Sequence, residues 1–380
     1  MPLKTVRCRA IDPNMSQFDM DKREKKKIKI FATSDIHGCR RLLEKALKRA
    51  GFDHQDPNHI LLVLGDLFDR GDDNKGTLDF LDSIKNKIIL RGNHELILIK
   101  ALRSGVVTSL QEANGTIETI RQFFPLYDGG RYFMAEGDVE RKTKERLFEL
   151  VDCMPYYFET DNYIFTHGWL PADPRRVRDG WRRATPYVWN NALWLRWYDY
   201  YGNCSVPDGK TIVIGHTPTR YAADFDPSRS YSCYAPFYGK GMIAIDGGAV
   251  YSGNLNVVCI EDTVDMPIEL DIPLSHELYL DFLKNRDKKV ELSLNVGKIA
   301  QLRPGDRLVY RDVSSSASFT VRVISIHSYS DFGELYEDFM PYELGFEGSS
   351  ADFVATLRKI YHYEEVADHG VVAVVFARVP

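Results

Sequence analysis

The chain has 380 residues, 44% apolar and 27% charged, with a formal net charge of −5. That is too long for one ordinary core and too apolar for a disordered chain, so two domains are expected, with no global electrostatic attraction to nucleic acid. No run approaches the ~20 apolar residues of a membrane span, and no signal-like apolar stretch opens the chain. The six cysteines (Cys8, Cys39, Cys153, Cys204, Cys233, Cys259) are scattered without a Cys-x-x-Cys pair. That suits reduced thiols in a cytoplasmic protein and excludes a disulfide framework or a zinc knuckle.

The early basic run DKREKKKIKI reads as a solvated lead-in to a first strand. IKIFAT (28–33) is an expected buried strand. RRLLEKALKRAG (40–51) follows with helical spacing and a glycine stop. ILLVL (60–64) is the next strand, NKGTLDFLDSI (74–84) a helix and KIIL (87–90) a third strand. This βαβαβ order predicts a sheet with crossover helices. Residues 96–160 read as mainly helical, with further strands at YIFT (163–166), TIVI (211–214) and MIAI (242–245). The Trp-, Tyr- and Arg-rich segment 170–207 reads as an irregular cap beside a site. After about Glu261 the composition shifts and two prolines appear, which marks a domain boundary. The last hundred residues alternate or run in β-branched residues, with a helical stretch at 350–362, as in a small β-rich domain.

Polar residues follow the strands of the first domain in a regular way. Asp35-Ile36-His37-Gly38 comes after the first strand, and Asp66-Leu67-Phe68-Asp69-Arg70-Gly71 after the second. Arg91-Gly92-Asn93-His94-Glu95, His167-Gly168 and His216-Thr217 follow the next three. Parallel strands place those C-terminal ends on one sheet edge, where open α/β sheets bind ligands. Carboxylate, imidazole and amide donors without thiolate suit Mn, Fe or Zn. Two carboxylates, one amide and three histidines exceed the needs of one tetrahedral ion and fit two ions sharing a carboxylate, an arrangement suited to displacement at phosphorus. Arg70 and Arg91 offer planar forks for phosphate oxygens. Gly65, Gly71 and Gly92 allow tight turns and close backbone approach.

The motifs SDIHG, GDLFDRG, RGNHE, THG and GHTPT resemble those of the calcineurin-like metallophosphoesterase superfamily, and more closely its phosphoprotein phosphatase branch. IDGGAVYSGNLNVVCIED resembles the closing strands of the bacterial members, which include Ser/Thr and Tyr phosphatases and symmetrical diadenosine tetraphosphatases. The resemblance implies a four-layer αββα sandwich. It implies that Asp35, His37 and Asp66 hold a first metal, and that Asp66 bridges to a second completed by Asn93, His167 and His216. It makes His94 the general acid, kept charged by Asp69, with Arg70 and Arg91 on the phosphate. LWLRW (193–197) resembles a further arginine-bearing segment and suggests Arg196. Ser34 stands where the family has glycine. Two divalent ions are therefore expected, Mn first, with Fe, Zn or Ni as alternatives.

The last part of the chain, with LRPGDRLVY, TVRVISIHSYSDFGELYEDF and the closing Gly-Val strand, resembles the ASCH family of small PUA-like β-barrels. That implies an α+β domain whose role is RNA or nucleotide binding, with RNA as its expected partner. Lys284, Arg286, Lys288 and Lys289 form a basic cluster there, and Tyr329, Phe332 and Tyr336 are candidate stacking surfaces or core. The expected organisation is an extension (1–27), a phosphoesterase domain (28–262), a linker (263–274) and the ASCH/PUA-like domain (275–380). The expected function is hydrolysis of phosphomonoesters as a bacterial-type Ser/Thr protein phosphatase. The alternative is a phosphohydrolase for RNA ends or dinucleoside polyphosphates. The partners are accordingly a phosphorylated protein or a nucleotide, and no membrane.

Overall fold

The computed structural model describes residues 23–134, 137–171, 180–202 and 206–378. Cys8, Cys204 and most of the expected N-terminal extension lie outside the described residues. The chain forms two compact units. One is built from Lys25–Leu170 and Asn190–Asp265; the other takes 23–24, 171, 180–189 and 266–378 of the described residues.

In the first unit, β1 (Lys25–Thr33) pairs in parallel with β2 (His59–Val63), which pairs in parallel with β3 (Lys87–Ile89). The sheet order is β3-β2-β1-β9, with β9 (Val258–Asp265) antiparallel to β1. The second sheet has the order β4-β5-β6-β8-β7. Its strands are β4 (Tyr157–Glu159), β5 (Tyr163–Thr166), β6 (Thr211–Ile214), β7 (Phe237–Gly239) and β8 (Met242–Ala244). The β5, β6 and β8 neighbours run parallel.

Period-two alternation divides each strand of the first sheet between two cores. Phe31, Leu61, Val63 and Ile89 face the crossover helices α1 (Arg40–Ala50) and α2 (Asn74–Ser83), packing on Leu43, Leu47, Leu78 and Leu81. Ile30, Ala32, Leu62, Leu64 and Leu90 face the second sheet, meeting Phe165, Val213, Ile243 and Ile245. Buried on both faces, these strands read as nearly unbroken apolar runs. The first core is extended by α3 (Asn93–Ser104), α4 (Ser109–Ala113), α5 (Thr116–Phe123) and α6 (Asp138–Asp152), through residues such as Leu98, Ile120 and Leu147. Helices, sheet and sheet thus make three of the expected four layers. Beyond them, Trp197, Tyr201 and Phe225 gather on Phe237 of β7, carried by short 3-10 turns rather than a long helix.

The second unit is an open five-stranded sheet of order β10-β12-β13-β14-β11. Its strands are β10 (Glu269–Leu274), β11 (Val290–Leu294), β12 (Arg307–Asp312), β13 (Ser318–Tyr329) and β14 (Val371–Arg378). A register shift between Val323 and Ser325 bends the long β13. One core contains Phe282, Leu308, Val321 and Phe376, and a second contains Leu292, Tyr329, Phe332, Phe353 and Leu357. Arg23 enters this unit through a bidentate pair with the buried Asp306 (2.6 and 2.8 Å).

Two sequence expectations change here. Residues 263–274 are not a linker: they form the end of β9 and all of β10. Leu270 and Ile272 alternate inward, and Pro273, read as a boundary signal, sits on an edge strand, where its missing N–H costs no ladder bond. Residues 180–189, expected as a cap beside a site, are packed into the second unit.

Candidate metal centre

The strand ends of the first unit turn sharply into the motif residues. Seven non-glycine residues among those described have positive φ, and six of them are Asp35 (53°), His37 (45°), Asp66 (55°), Asp69 (70°), Arg70 (68°) and His216 (61°). Such backbone costs on the order of 1–3 kcal/mol per residue, so its concentration in these loops marks a functional site. Cross-loop bonds hold it: Asp35 N–H to Gly65 O (3.2 Å), His37 N–H to Asp66 O (3.0 Å) and Gly215 N–H to His167 O (2.9 Å). A Cβ on Gly92 would lie 2.2 Å from Asp66 Oδ1, so only glycine lets these loops approach.

Asp35, His37, Asp66, Asn93, His94 and His167 are all buried, and His216 is half-buried. Donor atoms of His37, Asp66 and His94 lie within 4.8 Å of one another, and so do those of Asp66, His167 and His216. Asp66 is common to both groups. Its Oδ2 faces His37 Nε2 (3.7 Å) and His94 Nε2 (3.9 Å), and its Oδ1 faces His167 Nε2 (3.3 Å). Asn93 Oδ1 lies 2.8 Å from His167 Nε2. His37 donates from Nδ1 to the Phe68 carbonyl (2.8 Å) and His167 from Nδ1 to the Leu64 carbonyl (2.6 Å), which aims both Nε2 atoms into the cluster. Asp35 Oδ2 accepts from the Ser34 hydroxyl and from the His216 N–H (2.8 Å), leaving Oδ1 toward His37 (4.0 Å). The hydroxyl of Ser34 thus holds the carboxylate beside it.

The buried charges of this cluster suit a cation at its centre. Burial, then repulsion from Asp66, pushes the Asp35 carboxyl above its usual range. Burial and Asp35 do the same, more strongly, to Asp246. Burial and Asp66 push Glu95 up to about 7. Burial alone would raise Asp66 too, but His167 and His94 hold it well below the ordinary value. Burial would lower His167, yet Asp66 and Asp35 lift it to about 10, so without metal its own proton is the compensating cation. Burial keeps His37 and His216 neutral, with pKa values of about 3, which is the form that ligates metals. An all-oxygen-and-nitrogen set with surplus buried carboxylate fits divalent cations.

Beside this cluster His94 Nδ1 bonds Asp69 Oδ2 (2.8 Å), and Asp69 is held by the hydroxyls of Thr116 (3.1 Å) and Thr119 (2.7 Å). Burial lowers the His94 pKa, but Asp66 and Asp69 more than offset it, and the imidazole ends above its ordinary value. Arg70 reaches both His37 Nε2 (3.0 Å) and His94 Nε2 (2.9 Å). Arg91 is placed differently: its guanidinium donates to the Val151 carbonyl (2.8 Å) and the Tyr156 hydroxyl (3.2 Å) and lies over the Tyr156 ring. Arg196 is exposed and donates to the Tyr198 hydroxyl (2.6 Å).

Sequence reasoning gave no role to two buried residues. Glu95 accepts from the backbone N–H groups of Asp66 (3.0 Å), Leu67 (2.8 Å) and Gly92 (2.8 Å), clasping the second and third loops. Asp246 follows β8 as the buried polar residues of the cluster follow their strands. It accepts from Gly248 N–H (2.7 Å), and its backbone carbonyl accepts from Thr219 N–H (2.9 Å). That strand-end position was the available signal.

Residues 28–244 match the family model for calcineurin-like phosphoesterases, more than half of the chain. The chain belongs to the calcineurin-like phosphoesterase family. It is 27% identical over 232 residues to a serine/threonine-protein phosphatase 1 of Salmonella typhimurium, a match spanning 61% of this chain and 92% of that protein. It is 39% identical over 84 residues to a symmetrical bis(5'-nucleosyl)-tetraphosphatase of Buchnera aphidicola subsp. Schizaphis graminum, covering 22% of this chain and 30% of that protein. A solved cold-active protein tyrosine phosphatase is 17% identical, with a TM-score of 0.38, over 61% of this chain and 73% of that one.

In the second unit Tyr329 and Phe332 are core, and Lys288 pairs with Glu291 (3.2 Å). The RNA partner finds no support there. Among the described residues no helix is long and apolar enough to cross a membrane.

Proposed function

We propose that this phosphoesterase is a phosphomonoesterase whose two divalent cations are held by Asp35, His37, Asp66, Asn93, His167 and His216, and that its substrates are phosphoproteins. The observation that carries the two-cation reading is the division of Asp66, one oxygen toward His37 and the other toward His167. Cations held by these residues would lower the pKa of a bound water, so that hydroxide is available at neutral pH, and would offset charge on the phosphoryl group. Arg70, between His37 and His94, grips those oxygens with its planar fork. His94, protonated because Asp69 and Asp66 favour its cation, hands its Nε2 proton to the departing alcohol. Asp69 keeps the ring in the orientation that makes this transfer. Arg91 ties the third loop to the Val151 and Tyr156 region. The protein phosphatase reading is supported by the match over 92% of the Salmonella phosphatase. The higher identity to a tetraphosphatase over 84 residues supports dinucleoside polyphosphates as the second reading.

The test is a metal-free preparation reconstituted with Mn²⁺. Phosphoserine, phosphothreonine and phosphotyrosine peptides are compared with diadenosine tetraphosphate and p-nitrophenyl phosphate. Hydrolysis of phosphopeptides supports the first reading, and hydrolysis of the tetraphosphate alone supports the second. Inertness toward all of them refutes both. Asp66→Asn should weaken both ions, whereas Asp35→Asn should weaken one.

A further inference from the structure

Arg70 is exposed, so packing does not fix its side chain, and the direction of its guanidinium is set by the backbone that bears it. That backbone is a strained turn. Asp69 and Arg70 are consecutive non-glycine residues with φ of 70° and 68°, a conformation that persists only where the surroundings hold it. The Gly71 N–H closes the turn by donating to the Asp69 carbonyl (2.8 Å). Its upstream end is held by α5, where the Thr119 hydroxyl accepts from Asp69 N–H (3.1 Å). A Cβ on Gly115, which precedes α5, would lie 2.7 Å from Arg70 N, so the start of the helix is pressed against the turn.

The downstream end is held by two side-chain amides. The Gly71 carbonyl accepts from Asn74 Nδ2 (3.1 Å) and from Gln122 Nε2 (3.1 Å). The two residues are also tied to each other, because Asn74 N–H donates to Gln122 Oε1 (2.6 Å). Gln122 lies in the last turn of α5 and Asn74 opens α2, so a single carbonyl joins two helices to the turn. On its other face Gly71 leaves no room for a Cβ beside the His37 carbonyl. Asn74 is fully buried, and its Oδ1 has no hydrogen-bond partner among the described residues. Burying an acceptor unpaired costs stability, so what the Asn74 amide contributes is its Nδ2 bond to Gly71.

We propose that Asn74 and Gln122 are positioning residues for the phosphate grip: by holding the Gly71 carbonyl they keep Arg70 in the left-handed backbone from which its guanidinium reaches His37 and His94. The inference rests on reading Arg70 as that grip. Neither amide touches the phosphoryl group; both act through Arg70. When the Gly71 carbonyl is released, the strained turn relaxes and the fork leaves the cluster.

The test uses the full-length protein at saturating Mn²⁺. It measures p-nitrophenyl phosphate turnover and, by calorimetry, the binding of inorganic phosphate. Asn74→Ala removes one donor to Gly71 together with the unpaired acceptor, so it should melt within about 3 °C of the parent. Gln122→Glu keeps an acceptor for Asn74 N–H and replaces the donor with an oxygen that repels the Gly71 carbonyl. Each variant should raise KM and weaken phosphate by about tenfold, the worth of one charge-assisted bond, with a much smaller change in kcat. In an Arg70→Ala background neither should weaken phosphate further, since nothing is left to position. The proposal is overturned if both variants bind phosphate like the parent, or if their losses add in full to that of Arg70→Ala. It is also overturned if Asn74→Ala melts far below the parent yet binds phosphate normally, which would make the residue purely structural. If Arg70→Ala itself binds phosphate like the parent, the grip fails and the inference with it; if only the amide variants are silent, the inference alone fails. Should the parent hydrolyse no phosphoester, the proposed function fails, while phosphate binding still decides the role of the two amides.

Discussion

Gly65→Ala tests how closely the loops of the metal centre must approach. Gly65 sits at φ +87°, and a Cβ there would lie 2.5 Å from Gly92 N and 2.6 Å from Gly92 Cα. Ordinary contact begins at 3.4 Å, so the backbones must part by about 0.9 Å. One side of that gap carries Asp66, and the other carries Asn93 and His94. The left-handed backbone costs alanine about 1–2 kcal/mol, and forced overpacking adds about 1–3 kcal/mol. A stability loss of roughly 2–5 kcal/mol is expected from the two together. A displacement near 1 Å at reacting groups costs about 100-fold in rate, so kcat should fall by about that factor.

Gly51 gives the control within the same chain. It has φ +77° at the end of α1, with nothing within 4 Å of a new Cβ. Gly51→Ala should therefore show the backbone cost of about 1–2 kcal/mol and full activity. The assay is denaturant unfolding of both variants, with kcat on p-nitrophenyl phosphate at saturating Mn²⁺. If Gly65→Ala keeps kcat within about twofold of the parent, the argument that 1 Å matters at this site is wrong.

Other predictions follow from the same geometry. His94→Asn should retain both Mn²⁺ ions and lose about 10²–10⁴-fold in turnover of alkyl phosphates, and far less with p-nitrophenyl phosphate; equal loss on both would exclude the acid role. Because Asp66 and Asp69 raise the His94 pKa, the active protonated form persists to higher pH and is lost as pH rises through that value. Asp69→Asn should move the alkaline limb of the kcat/KM profile to lower pH; an unmoved limb would mean another group titrates there. Glu95→Ala leaves three buried N–H groups without their acceptor, at about 1–3 kcal/mol each. Its unfolding free energy should drop by more than about 3 kcal/mol, with weaker Mn²⁺ binding, and near-parental values would remove its role as a clasp. Arg70→Ala should raise KM for phosphoesters, whereas Arg91→Ala should chiefly lower stability, since its bonds run to Val151 and Tyr156; the reverse pattern would reassign the phosphate grip to Arg91.

Some of this was written locally along the chain. The runs IKIFAT, ILLVL and KIIL are strands because only a strand buried on both faces is apolar at nearly every position, and the parallel order then sends each following loop to one edge. A candidate ligand that comes straight after such a strand is legible from its place, as Asp35, Asp66 and His167 are. Asp246 obeys the same rule.

Other features depend on contacts between distant residues. Arg91 and Arg70 look alike in sequence, but Tyr156 and the Val151 carbonyl claim one guanidinium, while the other is left facing two imidazoles. Glu95 became a clasp only when Asp66 and Gly92 were brought to it. Residues 180–189 packed against residues more than a hundred positions further on, and Pro273 fell on an edge strand instead of in a linker. Periodicity and strand ends are properties of neighbouring residues, and they determined the sheets and the placement of most of the candidate ligands. Which polar group receives which hydrogen bond, and where a detour of the chain is buried, are settled by competition among groups far apart in sequence, and only the folded chain decides them.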